Sequence, residues 1–339
     1  MIIRTEKKLT PTEEVKLITI KNSLGFEVAF TDYGAAIYYI AYPDRQGNLG
    51  YATICPKDFN EFIHSGSNFG KAVGRVAGRL KDAKAIVNGV EYDLEKNEGK
   101  NCLHSGSSNF GMKKYDYEIK LNERKVDLIF TLKSPNGEGG FPGNVIIKII
   151  YTIYENKKEL NIRFTGKCDE PTLLNLTSHV YLNLNGGIAP VHDQELYLRA
   201  SKVSVLDDGL IIQGFENAPA YLNYTESTKL GKNLRNPTLL KHATHGMDHV
   251  FKFDGINKNV PSAILYDKKT KRKMTLYTDY PAVVVYGYNH PNRTENLSGQ
   301  LDDENYGITF ETVIPTDDCE AITFSKDRPY NYFAKYKFN

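Results

Sequence analysis

The run VDLIFTLKSPNGEGGFPGNVIIKIIYTIYENKKELNIRFT, residues 126–165, decides the fold class. Side chains alternate apolar and polar through 126–133, 144–155 and 159–165, with β-branched and aromatic residues throughout. That is the two-residue period of strands half-buried on a sheet. Between the first two, SPNGEGGFPGN (134–144) concentrates Gly and Pro and has the composition of an interdomain linker. It is short, and the strand pattern continues on both sides, so it is read as a turn and the chain as one domain, 1–339.

Working outward, the same alternation recurs from Phe26 to Phe333, with further strands expected at 25–31, 273–278, 282–288 and 307–314. No long helical pattern competes. So many strands in uninterrupted succession imply an all-β fold, a large, curved antiparallel β-sandwich. The 339 residues contain 23 Tyr and 16 Phe, ample for a large core rich in strand-favouring side chains. Lys and Arg number 43 against 41 Asp and Glu, which gives no basic face for nucleic acid or an acidic membrane surface. The N-terminus carries no signal-peptide core and no stretch is apolar enough to span a bilayer, so a cytoplasmic protein is expected. Cys55, Cys102, Cys168 and Cys319 are far apart and are read as free thiols.

Four segments carry the chemistry. In LLNLTSHVYLNL (173–184), read as one strand, Asn175, Thr177, His179, Tyr181 and Asn183 form a polar row opposite an almost wholly apolar one. These short hydrogen-bonding groups suit a wet groove that holds a polyhydroxylated ligand. In GITFETVI (307–314), Ile308, Phe310 and Ile314 share one face and Glu311 lies on the other between Thr309 and Val313. A carboxylate inside an apolar strand is either paired structurally or catalytic, and the residues leave both readings open. In GKAVGRVAGRL (70–80), glycines at 70, 74 and 78 allow close backbone approach beside a site that one Arg enters. His104, in NCLHSGSSNFG, is flanked by small polar loop residues. His245 and His249 have a zinc-compatible spacing, but Gly246 opposes a helix and no HExxH pattern is completed, so no metal site is expected.

Taken in order, LGFEVAFTDYGAAI (24–37) with PDRQGN, GRVAGRL, CLHSG, SPNGEGGFPGN, LNLTSHVYLNLNG, GMDHVF and GITFE resemble the landmarks of the galactose mutarotases, or aldose 1-epimerases, over nearly the whole chain. The resemblance implies a β-sandwich with a sugar-binding groove, a hexose (galactose or glucose) as substrate, and no metal or organic cofactor. It further implies that Glu311 is the base and His179 the acid that interconvert α and β anomers. Arg79, His104 and Asp248 would hold sugar hydroxyls, with Tyr181 beside His179. A monomer or homodimer is expected.

The chain departs from that pattern at Gly78 and Ser178, where many members have Asn, and at Val284 and Val313, where Gln is common. Three other readings compete: a non-catalytic sugar-binding protein of the same fold; an epimerase for phosphorylated hexoses using Arg75, Arg79, Lys81 and Lys71; and a glycoside hydrolase pairing Glu311 with Asp248. A carboxylate near His179, such as Glu311 or Asp248, is expected to favour its imidazolium form.

Overall fold

The structure, a computed structural model, describes residues 1–241 and 245–339. Its regular elements are mostly strands, and the three α-helices among the described residues are only five or six residues long. Three antiparallel sheets dominate. The first runs Ile2–Leu9, Glu14–Lys21, Glu27–Thr31, Ile37–Pro43, Leu49–Tyr51 in chain order. In the nine-stranded second sheet, Lys125–Ser134, Val145–Tyr154 and Glu159–Cys168 lie side by side, followed by Tyr330–Phe338 and Lys273–Thr278. The third sheet is ordered Tyr181–Leu182, Ile308–Val313, Ala282–Tyr286, Asp248–Lys252, Lys202–Leu206, Ile212–Asn217.

Period-two patterning determines what each sheet buries. Along Val145–Tyr154, Val145, Ile147, Ile149, Tyr151 and Ile153 are buried, while the intervening side chains are more exposed. The inward faces of all three sheets meet in one apolar cluster that reaches from Ile18 to Phe338. The ring of Phe338 packs on Phe26 and Tyr42, and the Tyr336 hydroxyl donates to the Phe310 carbonyl at 3.2 Å. Through that contact the nine-stranded sheet braces the strand that carries Glu311.

The expected strands are present, with ends shifted by up to three residues. The alternation extends beyond the stretch read from sequence: Ile2–Leu9 and Glu14–Lys21 precede Phe26, and Tyr330–Phe338 passes Phe333 to become a central strand. Residues 134–144 form the turn of a hairpin in which Ser134 faces Val145 in register. Arg75 holds this turn from inside. Buried to 1% exposure, it donates to the Ser134 hydroxyl and to the Pro135 and Pro142 carbonyls, each within 3.0 Å, and to Thr172 at 3.2 Å.

One element differs from its sequence reading. Residues 173–184 are not one strand but short pieces, Thr172–Leu173, Thr177–Ser178 and Tyr181–Leu182, each paired with a different partner. The apolar face is in the core as expected. The polar row, however, is divided. Asn175 and Asn183 are wholly buried and bind main chain: the Asn175 amide exchanges two bonds with Ile314, and Asn183 donates to the Ala189 and Tyr306 carbonyls. A primary amide carries a donor and an acceptor spaced like a peptide group, so it can splice two strand ends as well as hold a ligand. Only His179 and Tyr181 of the row reach a cavity. No helix among the described residues is long and apolar enough to cross a membrane.

Candidate active site

A cavity of about 650 Å³ opens on the face of the third sheet opposite the core. Its floor follows from register. Glu311 is directly opposite Val284, which is opposite Val250; one pleat away, Thr309 faces Tyr181 on one side and Tyr286 on the other, and Tyr286 faces Asp248. Alternation sends Ile308 and Phe310 into the core and Glu311 and Val313 to the cavity. Glu311 is therefore fixed by two neighbouring strands, with 3% of its surface exposed.

His179 comes from the segment just before Tyr181. Its main chain is pinned to the 70–73 segment: its N–H donates to the Lys71 carbonyl at 2.9 Å, and its carbonyl accepts from Gly70 at 2.9 Å. Gly70 has φ of +62°, and a Cβ there would stand 1.8 Å from the Ile37 carbonyl oxygen, so no side chain fits. The imidazole Nε2 lies 3.3 Å from Glu311 Oε1, and the ring packs on that of Tyr181 with centroids 5.0 Å apart and planes tilted by 53°. Tyr181 donates its hydroxyl to the Ser67 carbonyl at 2.9 Å, so its polar end is engaged and its ring is what meets His179.

His104 is fixed by Gly78. The Gly78 N–H donates to His104 Nδ1 at 3.1 Å, and the His104 N–H donates to the Gly78 carbonyl at 3.0 Å. With Nδ1 accepting, the neutral ring carries its proton on Nε2. Gly78 has φ of +86°, a region open to Gly and, among other residues, most readily to Asn. That is the physical reason Gly can stand where Asn is common. The ligand atoms of His104, His179 and Glu311 lie within 4.8 Å of one another, a spacing that could also hold a metal ion.

Arg79 forms the opposite wall. It binds Glu98 through Nε at 2.6 Å and Nη2 at 2.9 Å, and approaches Asp248 through Nη1 at 3.3 Å. These partners leave N–H groups on Nη1 and Nη2 for a ligand. Their negative charges outweigh the cost of burial and hold the guanidinium pKa above its usual value.

Burial dominates the ionisation of the central pair. It raises the Glu311 carboxyl to about 8, with the Asp248 charge adding and Thr309 and Arg79 opposing. The same burial lowers His179 to about 4, assisted by the Lys71 charge. His104 is likewise held well below the usual imidazole range by burial, His179 and Arg79. The expectation that a nearby carboxylate makes His179 an imidazolium is thus reversed: loss of water outweighs the attraction of Asp248. Near neutrality the pair holds one proton, favouring carboxyl and imidazole, with carboxylate and imidazolium one transfer away.

A family model described as aldose 1-epimerase matches residues 16–318. The chain belongs to the aldose 1-epimerase family. It is 30% identical over 305 residues to an aldose 1-epimerase of Haemophilus influenzae, covering 88% of this chain and 86% of that protein. Identity to the galactose mutarotase of Rattus norvegicus is 27% over 322 residues, 92% of this chain and 91% of the other. The fold is similar to that of a galactose 1-epimerase from Lactobacillus acidophilus, with a TM-score of 0.87 at 23% identity over 100% of this chain and 99% of that one.

All six residues singled out in this aldose 1-epimerase sequence line the one cavity: Glu311, His179, Arg79, His104, Asp248 and Tyr181. Of the four cations considered for a phosphate, only Arg79 reaches it. Arg75 is engaged in the interior, Lys71 is buried with its ammonium on the Ile63 carbonyl at 2.7 Å, and Lys81 lines a separate depression. His249 is buried on the strand beside Asp248, whereas His245 is exposed with its ring 6.0 Å from that of His290. Glu98 and Tyr286 are among the cavity residues that were not legible beforehand. Glu98 lies in a loop without period, and Tyr286 is one aromatic among many until register places it beside Asp248.

Proposed function

We propose that this family member interconverts the anomers of a free, uncharged hexose, with Glu311 as base and His179 as acid. The observation that carries the reading is the buried 3.3 Å contact of these two groups at the centre of the cavity. Their one shared proton suits the reaction. As carboxylate and imidazolium, Glu311 takes the proton of the anomeric hydroxyl while His179 delivers one to the ring oxygen, and the C1–O5 bond opens to the aldehyde. The pair is then carboxyl and imidazole, the form that burial favours. After rotation about C1–C2, the ring closes on the other face with both transfers reversed, so each turnover restores the starting state.

A placed acid and a placed base typically contribute about 10²- to 10⁴-fold each, roughly 5 to 11 kcal/mol together if independent. That suffices for a reaction already measurable in water. Arg79, His104 and Asp248 hold ring hydroxyls, and the packed ring of Tyr181 keeps His179 in place.

A phosphorylated substrate fits poorly. Among the described residues lining the site the single Lys or Arg, Arg79, is already matched by Glu98 and Asp248, so a dianion would enter a net negative cavity. Asp248 is likewise engaged with Arg79, which disfavours it as the second carboxylate of a hydrolase. A unit spanning 1–339 is supported by the continuous apolar cluster, and a cytoplasmic location by four free cysteines, three of them buried. Polarimetry on freshly dissolved α-galactose and α-glucose tests the reading. Acceleration by wild type that is lost in Glu311→Gln and His179→Ala is expected; no acceleration of either sugar overturns it in favour of a binding protein.

A further inference from the structure

The cavity floor beside Glu311 offers a sugar nothing to hydrogen-bond. Val284 faces Glu311 in register, Val250 faces Val284, and Val313 lies two residues along Glu311's own strand; all three line the cavity. Val250 and Val284 are only partly buried, so their methyl groups meet whatever occupies the site. The strand Ala282–Tyr286 is paired on both sides, by Ile308–Val313 and Asp248–Lys252, so main-chain N–H and C=O groups in this part of the floor are engaged in the ladder. Farther across the sheet, the apolar lining continues through Leu206, Leu210 and Ile212 at the rim. Polar groups stand elsewhere in the cavity, among them Asp248 and Tyr286 one pleat away, and Arg79 and His104 on the opposite wall.

The hydroxyls of a pyranose point in several directions, and one pressed against this floor would lose water without gaining a partner. A C–H or methyl group in the same position would bury apolar surface at no such cost. We infer that one ring position of the substrate is unread, and that the site accepts aldoses lacking the hydroxyl over the valine floor, with Val284 as the specificity-determining residue. The inference rests on the epimerase reading. An apolar surface rejects an added hydroxyl only weakly, whereas a site built to bind a hydroxyl rejects its absence strongly. The floor therefore tolerates both forms while favouring the deoxy one.

The test is kcat/KM by polarimetry for α-galactose and its 2-deoxy, 3-deoxy and 4-deoxy forms, on wild type, Val284→Gln and the nearly isosteric Val284→Thr. Expected is one deoxy sugar converted at least as well as galactose. For that sugar, Val284→Gln should lower the rate relative to galactose by tenfold or more, and Val284→Thr should act in the same direction if the Gln variant does not fold. A loss of tenfold or more for all three deoxy sugars in an enzyme that converts galactose would overturn the inference and leave the epimerase reading intact. Unchanged relative rates in folded Val284 variants would overturn the role of Val284. An enzyme inert on the whole panel overturns both the inference and the reading beneath it.

Discussion

His179 Nε2 lies 3.3 Å from Glu311 Oε1, and the two side chains are only 7% and 5% exposed. The residues come from segments more than 130 positions apart, so only the folded sheet makes them a pair. Separating them chemically is the most direct probe. Glu311→Gln and His179→Ala should each lower kcat by about 10²- to 10⁴-fold with the fold retained. A chelator should leave wild-type activity unchanged, because two of the three groups that could hold a metal, Glu311 and His179, are proposed as the acid–base pair and the third, His104, as a ligand of a sugar hydroxyl; loss of activity restored by added metal would sink that assignment.

The pH profile follows from the shifts at the two groups. Below about 4 His179 takes up a second proton for the pair, and above about 8 Glu311 surrenders the shared one. Activity is expected to be flat between these limits and to fall on both sides. Because the Asp248 charge helps to raise Glu311, Asp248→Asn should move the alkaline limb to lower pH, whatever it does to the maximal rate. An unmoved limb would mean that another group sets it.

Glu311 also costs stability. In the unfolded chain it ionises near its ordinary 4.5, whereas in the fold it keeps its proton to about 8. The folded state therefore binds more protons across that window. Stability linked to this group is full below about 4.5 and is lost as pH rises through about 8. Glu311→Gln should be more stable than wild type by about 1–3 kcal/mol at pH 8 to 9, with His179 limiting the effect by accepting part of the charge, and nearly equal at pH 4.5. Urea unfolding at the two pH values gives the comparison, and a gain independent of pH would contradict it.

Glu98 holds Arg79 by two hydrogen bonds at 2.6 and 2.9 Å. In Glu98→Gln the guanidinium loses its second anion and its orientation, so KM should rise several-fold while kcat changes little. Equal loss in kcat and kcat/KM would instead place Glu98 in the proton-transfer step.

Arg75 tests the other arginine of the same motif. Arg75→Met leaves the turn at 134–144 without its buried clamp and should cost about 2–4 kcal/mol of stability, with turnover per folded molecule preserved. A selective loss of activity would show that the two arginines are not divided as their contacts indicate.

The sequence by itself determined the fold class and named six side chains that the fold brings to one cavity. Two-residue alternation is a local property, and it located strands such as Lys273–Thr278 to the residue. It also placed Glu311 on the face opposite Phe310, because neighbouring side chains in a strand must point apart. What local pattern could not supply was partnership. Asn175 and His179 occupy the same polar row, yet one splices main chain to Ile314 and the other meets Glu311, since breaks in the strand send them to different neighbours. Arg75 and Arg79 share a motif, but only their surroundings separate an interior clamp from a cavity wall. The valine floor and the ionisation of the central pair were decided by tertiary structure alone: register sets which side chains lie abreast across strands, and burial sets how much water each charge loses.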